Sequence, residues 1–155
     1  MTGTFTVTYT VSDDMIDHNQ HMHDANYNSV FSTAINQFNY THGLSLAERE
    51  TLNFSIFTAE EQTSYLSELK LHDTFTIHLY LYDFDAKRVH FFAMLIKDDG
   101  SVAATNEAMM LGIDRATKKV SPFPDSYYNQ LTLYKQQQAT IDWPKQLGHQ
   151  IGIPK

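Results

Sequence analysis

The densest run of reactive side chains in the chain is Asp17-His18-Asn19-Gln20-His21-Met22-His23-Asp24, immediately before a helical apolar pattern. Carboxylates and imidazoles in such a place suit acyl chemistry. A carboxylate such as Asp17 can attack a carbonyl or take a proton from water, with an imidazole such as His21 assisting. The first N–H groups of a helix have no intrahelical partner and carry partial positive charge, so amides near Asp24 and Ala25 can polarise a carbonyl oxygen. The same residues also make an ordinary capping loop with solvated side chains, and both readings stand at this level. His18, His21 and His23 invite a metal, but their spacing matches no H-E-x-x-H pattern and no cysteine is available, so no metal is expected.

The remaining acids are more scattered. Glu60 and Glu61 stand together at the start of a possible strand, and Glu107 interrupts an apolar strand; isolated acids of this kind usually face solvent. There is no G-x-S-x-G elbow, no G-x-G-x-x-G and no phosphate-binding loop. The absence of cysteine excludes thiol nucleophiles, thiolate metal sites and disulfide scaffolds. The net charge of −7 opposes nucleic acid and anionic membrane as partners. The charge is also uneven. Residues 1–48 hold no Lys or Arg, whereas six of the 11 basic residues fall between Lys87 and Lys119. An anionic ligand would have to be gripped there. With no long apolar run and no leader-like N-terminus, a cytoplasmic location is expected.

These residues must be positioned by secondary structure. Residues 4–11 alternate with Phe5, Val7, Tyr9 and Val11 on one face, a half-buried strand, and 12–23 read as a loop. Tyr27, Val30, Phe31, Ala34, Ile35 and Phe38 then form one apolar stripe on a helix of about four turns, with Asp24 as N-cap and Gly43 as stop. Strands are expected over 74–84, 88–96 and 102–113 as an antiparallel meander, with mixed strand-like character over 53–67. Residues 126–138 read as a short surface helix, and 139–155 as irregular. The expectation is one α+β domain over residues 1–155, its C-terminal extension beginning near 126, with a sheet wrapped around a single central helix.

Asp17 through Tyr27 resemble the hotdog-fold acyl-CoA thioesterases, which carry an Asp, a Gly-His-hydrophobic-Asn block and a Tyr ten residues after the Asp. Asp17, His21-Met22 and Tyr27 keep this pattern; Gln20 replaces the Gly and His23 the Asn. Asp83-Phe84-Asp85-Ala86-Lys87-Arg88, Ala103-Ala104-Thr105-Asn106-Glu107, Pro122-Phe123-Pro124 and Tyr65-Leu66-Ser67-Glu68 with Asp73 resemble the betainyl-CoA thioesterase branch, as does Glu60. The resemblance spans roughly residues 5–125. It implies hydrolysis of an acyl-CoA to a free acid and CoA. Asp17 would act as nucleophile or general base, with His21 or a Glu60 contributed across a dimer. Asn19, His23, Asp24, Ala25 and Tyr27 would contact substrate, and Lys87, Arg88, Lys118 and Lys119 the CoA phosphates. It further implies a homodimer or dimer of dimers, with CoA thioester as substrate and no separate cofactor. A non-catalytic acyl-CoA-binding module on the same fold is the alternative, motivated by Gln20 and His23. A hydratase is disfavoured because its His-Phe-Pro motif is absent.

Overall fold

The computed structural model describes residues 3–155. In chain order the elements are β1 (Phe5–Thr10), a 3-10 turn (Asp13–Met15), α1 (Asp24–Thr41), α2 (Leu46–Leu52), β2 (Phe54–Tyr65), β3 (Thr74–Phe84), β4 (Arg88–Lys97), β5 (Val102–Asp114), β6 (Lys119–Val120) and α3 (Asp125–Gln137). The strands form one antiparallel sheet in the order β1-β3-β4-β5-β2, with the short β6 beside β5. The β3-β4-β5 meander and the long helix lie where the periodicity places them.

Helix α1 is central because its stripe is aromatic and continuous. Tyr27, Val30, Phe31, Ala34, Ile35 and Phe38 are buried, and each fully buried Phe is worth about 1.5–3 kcal/mol over exposure. The stripe meets Phe75, Ile77, Leu79 and Leu81 of β3 and Val89, Phe91, Ala93 and Leu95 of β4 in one core cluster. Strict alternation along β3 and β4 sends these residues to one face. Phe38 is the hub, edge-on to Phe5, Phe91 and Tyr134 and stacked on His42 at 3.8 Å.

The structure corrects several expectations. His23, not Asp24, is the N-cap of α1. Residues 12–23 are not only loop: the 3-10 turn and the bridges Ile16–Met22 and His21–Lys70 organise them. The 53–67 region is one long strand, β2, irregular only where its register shifts between Thr58 and Glu60. Helix α2 lies outside the expected elements, although Ser45 and Glu48 form a full capping box. Residues 125–137 do form a helix on the surface, but one face of α3 is core. Tyr127, Leu131 and Tyr134 are buried, and the Tyr127 hydroxyl donates to Asn39 Oδ1 at 2.6 Å. Their i, i+4, i+7 spacing carries that signal, although polar residues outnumber them. Residues 139–155 hold no helix or strand, yet part of the segment lies against the outer face of the sheet, where Trp143 packs edge-on to Tyr80, Tyr82 and Phe92.

Candidate active site

The loop before α1 is built around the carboxylate of Asp17. Its Oδ1 accepts the backbone N–H of Asn19 at 2.8 Å and of His21 at 3.3 Å. The Asp17 N–H donates to His21 O, and Gln20 N–H returns to Asp17 O, closing a tight turn. Such a turn needs one residue in the left-handed region, and Gln20 supplies it at φ +65°. The resemblance places a glycine at this position, and the geometry gives the reason; a non-glycine residue here costs about 1–2 kcal/mol. The Asn19 N–H is the main influence holding the Asp17 carboxyl below the usual carboxylate range. The His21 N–H and the imidazoles of His18 and His21 act in the same direction, against partial desolvation. Asp17 is therefore ionised at neutral pH, and its Oδ2 has no hydrogen-bond partner among the described residues.

Two of the cleft's walls are fixed by Tyr27. Its hydroxyl accepts the Leu69 N–H at 3.2 Å and reaches Ser67 O at 3.5 Å, tying the first turn of α1 to residues 67–69. Burial pushes the Tyr27 hydroxyl above its ordinary value, so it is a neutral structural group. Tyr65 crosses Tyr27 edge-on at 5.2 Å and donates to Asp24 O at 3.1 Å. Met22 is buried and donates its N–H to Leu69 O, which anchors the loop from below. These contacts frame an open cleft of 590 Å³ against the N-terminus of α1.

Asp17, Asn19, His21, His23, Asp24 and Tyr27 all line this cleft, and Ala25 follows in the first turn of the helix. The amides differ from expectation in their availability. The Ala25 N–H is already taken, by His23 Nδ1 at 3.2 Å and Asp24 Oδ1 at 2.8 Å. The Asp24 N–H makes no hydrogen bond among the described residues and is the free donor at this helix end. The His21 ring points to Glu68 Oε2 at 3.3 Å. Tyr65 and Glu68 complete the wall without having been singled out as site residues. The Tyr-Leu-Ser-Glu run belongs to the resemblance, but only the Tyr27 tether shows that it folds over this cleft.

The other expected residues lie elsewhere in the chain. Glu60 lines a separate cleft on the outer face of β2 and β5, with His90, Glu107 and residues 148–151. Glu107 is not simply a solvated strand acid: it is largely buried and bonds His90 Nε2 at 2.7 Å. Lys87, Arg88, Lys118 and Lys119 sit at the opposite end of the sheet from Asp17. Register shows this: Tyr65 pairs with Ala104, whereas Arg88 pairs with Leu111 and Lys119 with Asp114. At about 3.3 Å per residue, the two ends are roughly 30 Å apart. Arg88 is further committed to Asp85, through Nε at 2.8 Å and Nη2 at 2.6 Å. Among the described residues no group of three or more His, Cys, Asp or Glu side chains is arranged to hold a metal ion.

An antiparallel sheet curled around one long helix, with a carboxylate cleft at the helix N-terminus, defines a hotdog-fold protein of the acyl-thioester class. The chain belongs to the thioesterase-like superfamily, which matches residues 11–131. It is 27% identical to the betainyl-CoA thioesterase of Pseudomonas aeruginosa over 142 residues, covering 91% of this chain and 89% of that protein. A Staphylococcus aureus protein solved in complex with CoA superposes with a TM-score of 0.98 at 55% identity, covering 99% of this chain and 98% of that one. The 1,4-dihydroxy-2-naphthoyl-CoA thioesterase of Synechocystis shares the fold, with a TM-score of 0.76 at 15% identity over 84% of this chain and 96% of that one. No helix among the described residues is long and apolar enough to cross a membrane.

Proposed function

We propose that this chain hydrolyses acyl-CoA thioesters to a free acid and CoA at the Asp17 cleft. The observation that carries this reading is the ionised Asp17 carboxylate, with one oxygen pinned by two backbone amides and the other open, beside the free Asp24 N–H. In this reading the thioester oxygen accepts from the Asp24 N–H. Asp17 Oδ2 either takes the proton of a water that attacks the carbonyl carbon, or attacks that carbon itself to give an acyl anhydride that water then hydrolyses; in both routes the C–S bond breaks and the CoA thiolate leaves and takes up a proton, from Asp17 in the first and from solvent in the second. The charged groups lining the cleft are Asp17, Asp24 and Glu68, with no Lys or Arg. That arrangement disfavours an anionic acyl group and leaves the CoA phosphates to be held elsewhere.

Pairing with a second copy supplies what one chain lacks. β2 is an edge strand with exposed residues from Phe57 to Glu61. Antiparallel pairing of two β2 edges sets the Lys87–Lys119 end of one sheet beside the Asp17 end of the other, with Glu60 near the middle of the seam on the outer face. The test is thiol release across short, long, aromatic and cationic acyl-CoAs. Asp17→Asn should lower turnover by about 10²–10⁴-fold without loss of the fold, because an Asn Oδ1 still accepts both amides. If Glu60 acts on the partner's site, coexpressing Asp17→Asn with Glu60→Gln should restore activity, since each mixed dimer keeps one intact site. Binding of acyl-CoA without thiol release favours the non-catalytic module, and failure of the mixture to recover activity removes Glu60 from the partner's site.

A further inference from the structure

The carboxylate of β2 that faces α1 is Glu61, not its neighbour Glu60. Alternation sends successive strand residues to opposite faces, and a chain of hydrogen bonds fixes the face that Glu61 takes. Asn106 is 1% exposed and donates its side-chain amide hydrogens to Glu61 Oε1 and Thr63 Oγ1, both at 3.0 Å. Thr63 Oγ1 in turn donates to Asn28 Oδ1 of α1. Tyr65, two residues farther on, donates to Asp24 O. Tyr65, Thr63 and Glu61 thus step along the seam between β2 and α1, against Asp24, Asn28 and Ser32, which recur every four residues on one stripe of the helix. Tyr65 and Asp24 line the Asp17 cleft, so the seam leads out of it. Burial, then the charges of Asp24 and Glu61, push the Tyr65 hydroxyl above its ordinary value, which puts Glu61 within electrostatic reach of the cleft wall. Glu61 Oε2 has no hydrogen-bond partner among the described residues. Between Glu61, Thr58, Ser32 and Asn36 the seam holds a notch of about 10 Å³, with no Lys or Arg in its lining. That is room for about one water-sized group.

Resting on the thioesterase reading, we propose that Glu61 determines acyl specificity by accepting a hydrogen bond from a hydroxyl or primary ammonium at the far end of the acyl group. A carboxylate with one oxygen pinned and the other open is a preorganised, charge-assisted acceptor. The helix stripe sets the reach: at 1.5 Å per residue Asn28 and Ser32 lie roughly 6 and 12 Å along α1 from Asp24, a span that a chain of about six carbons crosses. A trimethylammonium group has no N–H to donate and is too large for the notch.

The probes are S-hexyl-CoA, its ω-hydroxy analogue and its ω-trimethylammonio analogue, thioethers with no hydrolysable bond, so binding to the full chain is read by calorimetry apart from turnover. Glu61 is exposed, so Glu61→Ala removes the carboxylate without emptying the core. The expected result is that this variant shifts the Kd ratio of the hexyl and ω-hydroxyhexyl thioethers toward the hexyl one by about tenfold or more, the loss that accompanies a hydrogen bond to a charged group. Gln62→Ala, whose side chain turns to His149 O on the outer face, should leave that ratio as it is in the native chain. A general loosening of the seam would weaken every probe alike, so an unchanged ratio in Glu61→Ala overturns the proposal. An equal loss for the trimethylammonio probe also overturns it, because charge and not hydrogen bonding would then be what Glu61 reads. A shifted ratio in a chain that releases no thiol from acyl-CoAs removes the thioesterase and leaves the role of Glu61 standing; thiol release with an unchanged ratio does the reverse.

Discussion

The chemistry of the site turns on how two residues are held. Asp17 sits below the ordinary carboxylate range because the Asn19 N–H, above all, favours its charged form. If ionised Asp17 drives turnover, the acid limb of the kcat/KM profile should fall below the usual Asp value of about 3.9. A pH–rate series against a short acyl-CoA measures this, and an inflection near pH 6 would assign the limb to a histidine instead. Gln20 is the second such residue. It adopts φ +65° without the permissiveness of glycine, so Gln20→Gly should relieve strain and stabilise the chain by about 1 kcal/mol. For a domain of this size, that is about 2–4 °C in Tm by calorimetry. The Gln therefore keeps the turn and carries its cost, which is why the departure from the glycine pattern leaves the geometry intact.

Among the elements, α1 is the one that joins core and site. Its first turn faces the cleft, and its last turn packs against Phe5 and Tyr134 through Phe38 and His42. His42 Nδ1 bonds Phe38 O at 2.6 Å, and burial pushes its pKa below the ordinary value. The folded imidazole is thus neutral where the unfolded one is protonated. Between about pH 6.5 and the lower folded value the unfolded chain binds the extra proton, so stability rises with pH there and is lost on acidification. His78 is shifted in the same direction by desolvation. Urea unfolding at pH 7.5 and 5.5 should show the loss, and His42→Phe should flatten it; an equal slope in the variant would exclude His42 as the source. Helix α3 matters equally to this end of α1. Burial pushes the Tyr134 hydroxyl up to about 12, and that hydroxyl accepts the Phe5 N–H at 2.7 Å while donating to Leu79 O. One side chain thus ties β1, β3 and α3 together.

At the scale of the whole molecule, the acidic first half and basic second segment end up at opposite ends of one sheet. If the basic end grips the phosphates of a CoA bound at a partner's Asp17 cleft, Lys87→Glu with Lys118→Glu should raise KM for acyl-CoA with kcat little changed. The effect should shrink as salt is raised; a kcat loss without a KM change would contradict it. The sequence by itself determined the long helix, the β3-β4-β5 meander and the Asp17–Tyr27 spacing. Those features are written in local periodicity and in side-chain types a few residues apart, such as the stripe from Tyr27 to Phe38. Only the tertiary structure decided that α3 is core, that Tyr65 and Glu68 wall the Asp17 cleft, that Ala25 is masked while Asp24 is free, and that Glu60 lies under the C-terminal segment. Apart from the masking of Ala25, these depend on contacts across 41 to 88 residues of chain, between Tyr127 and Asn39, Tyr65 and Asp24, and Gln62 and His149, and on strand register. Side-chain periodicity sets which face a residue occupies, whereas register sets what stands opposite it.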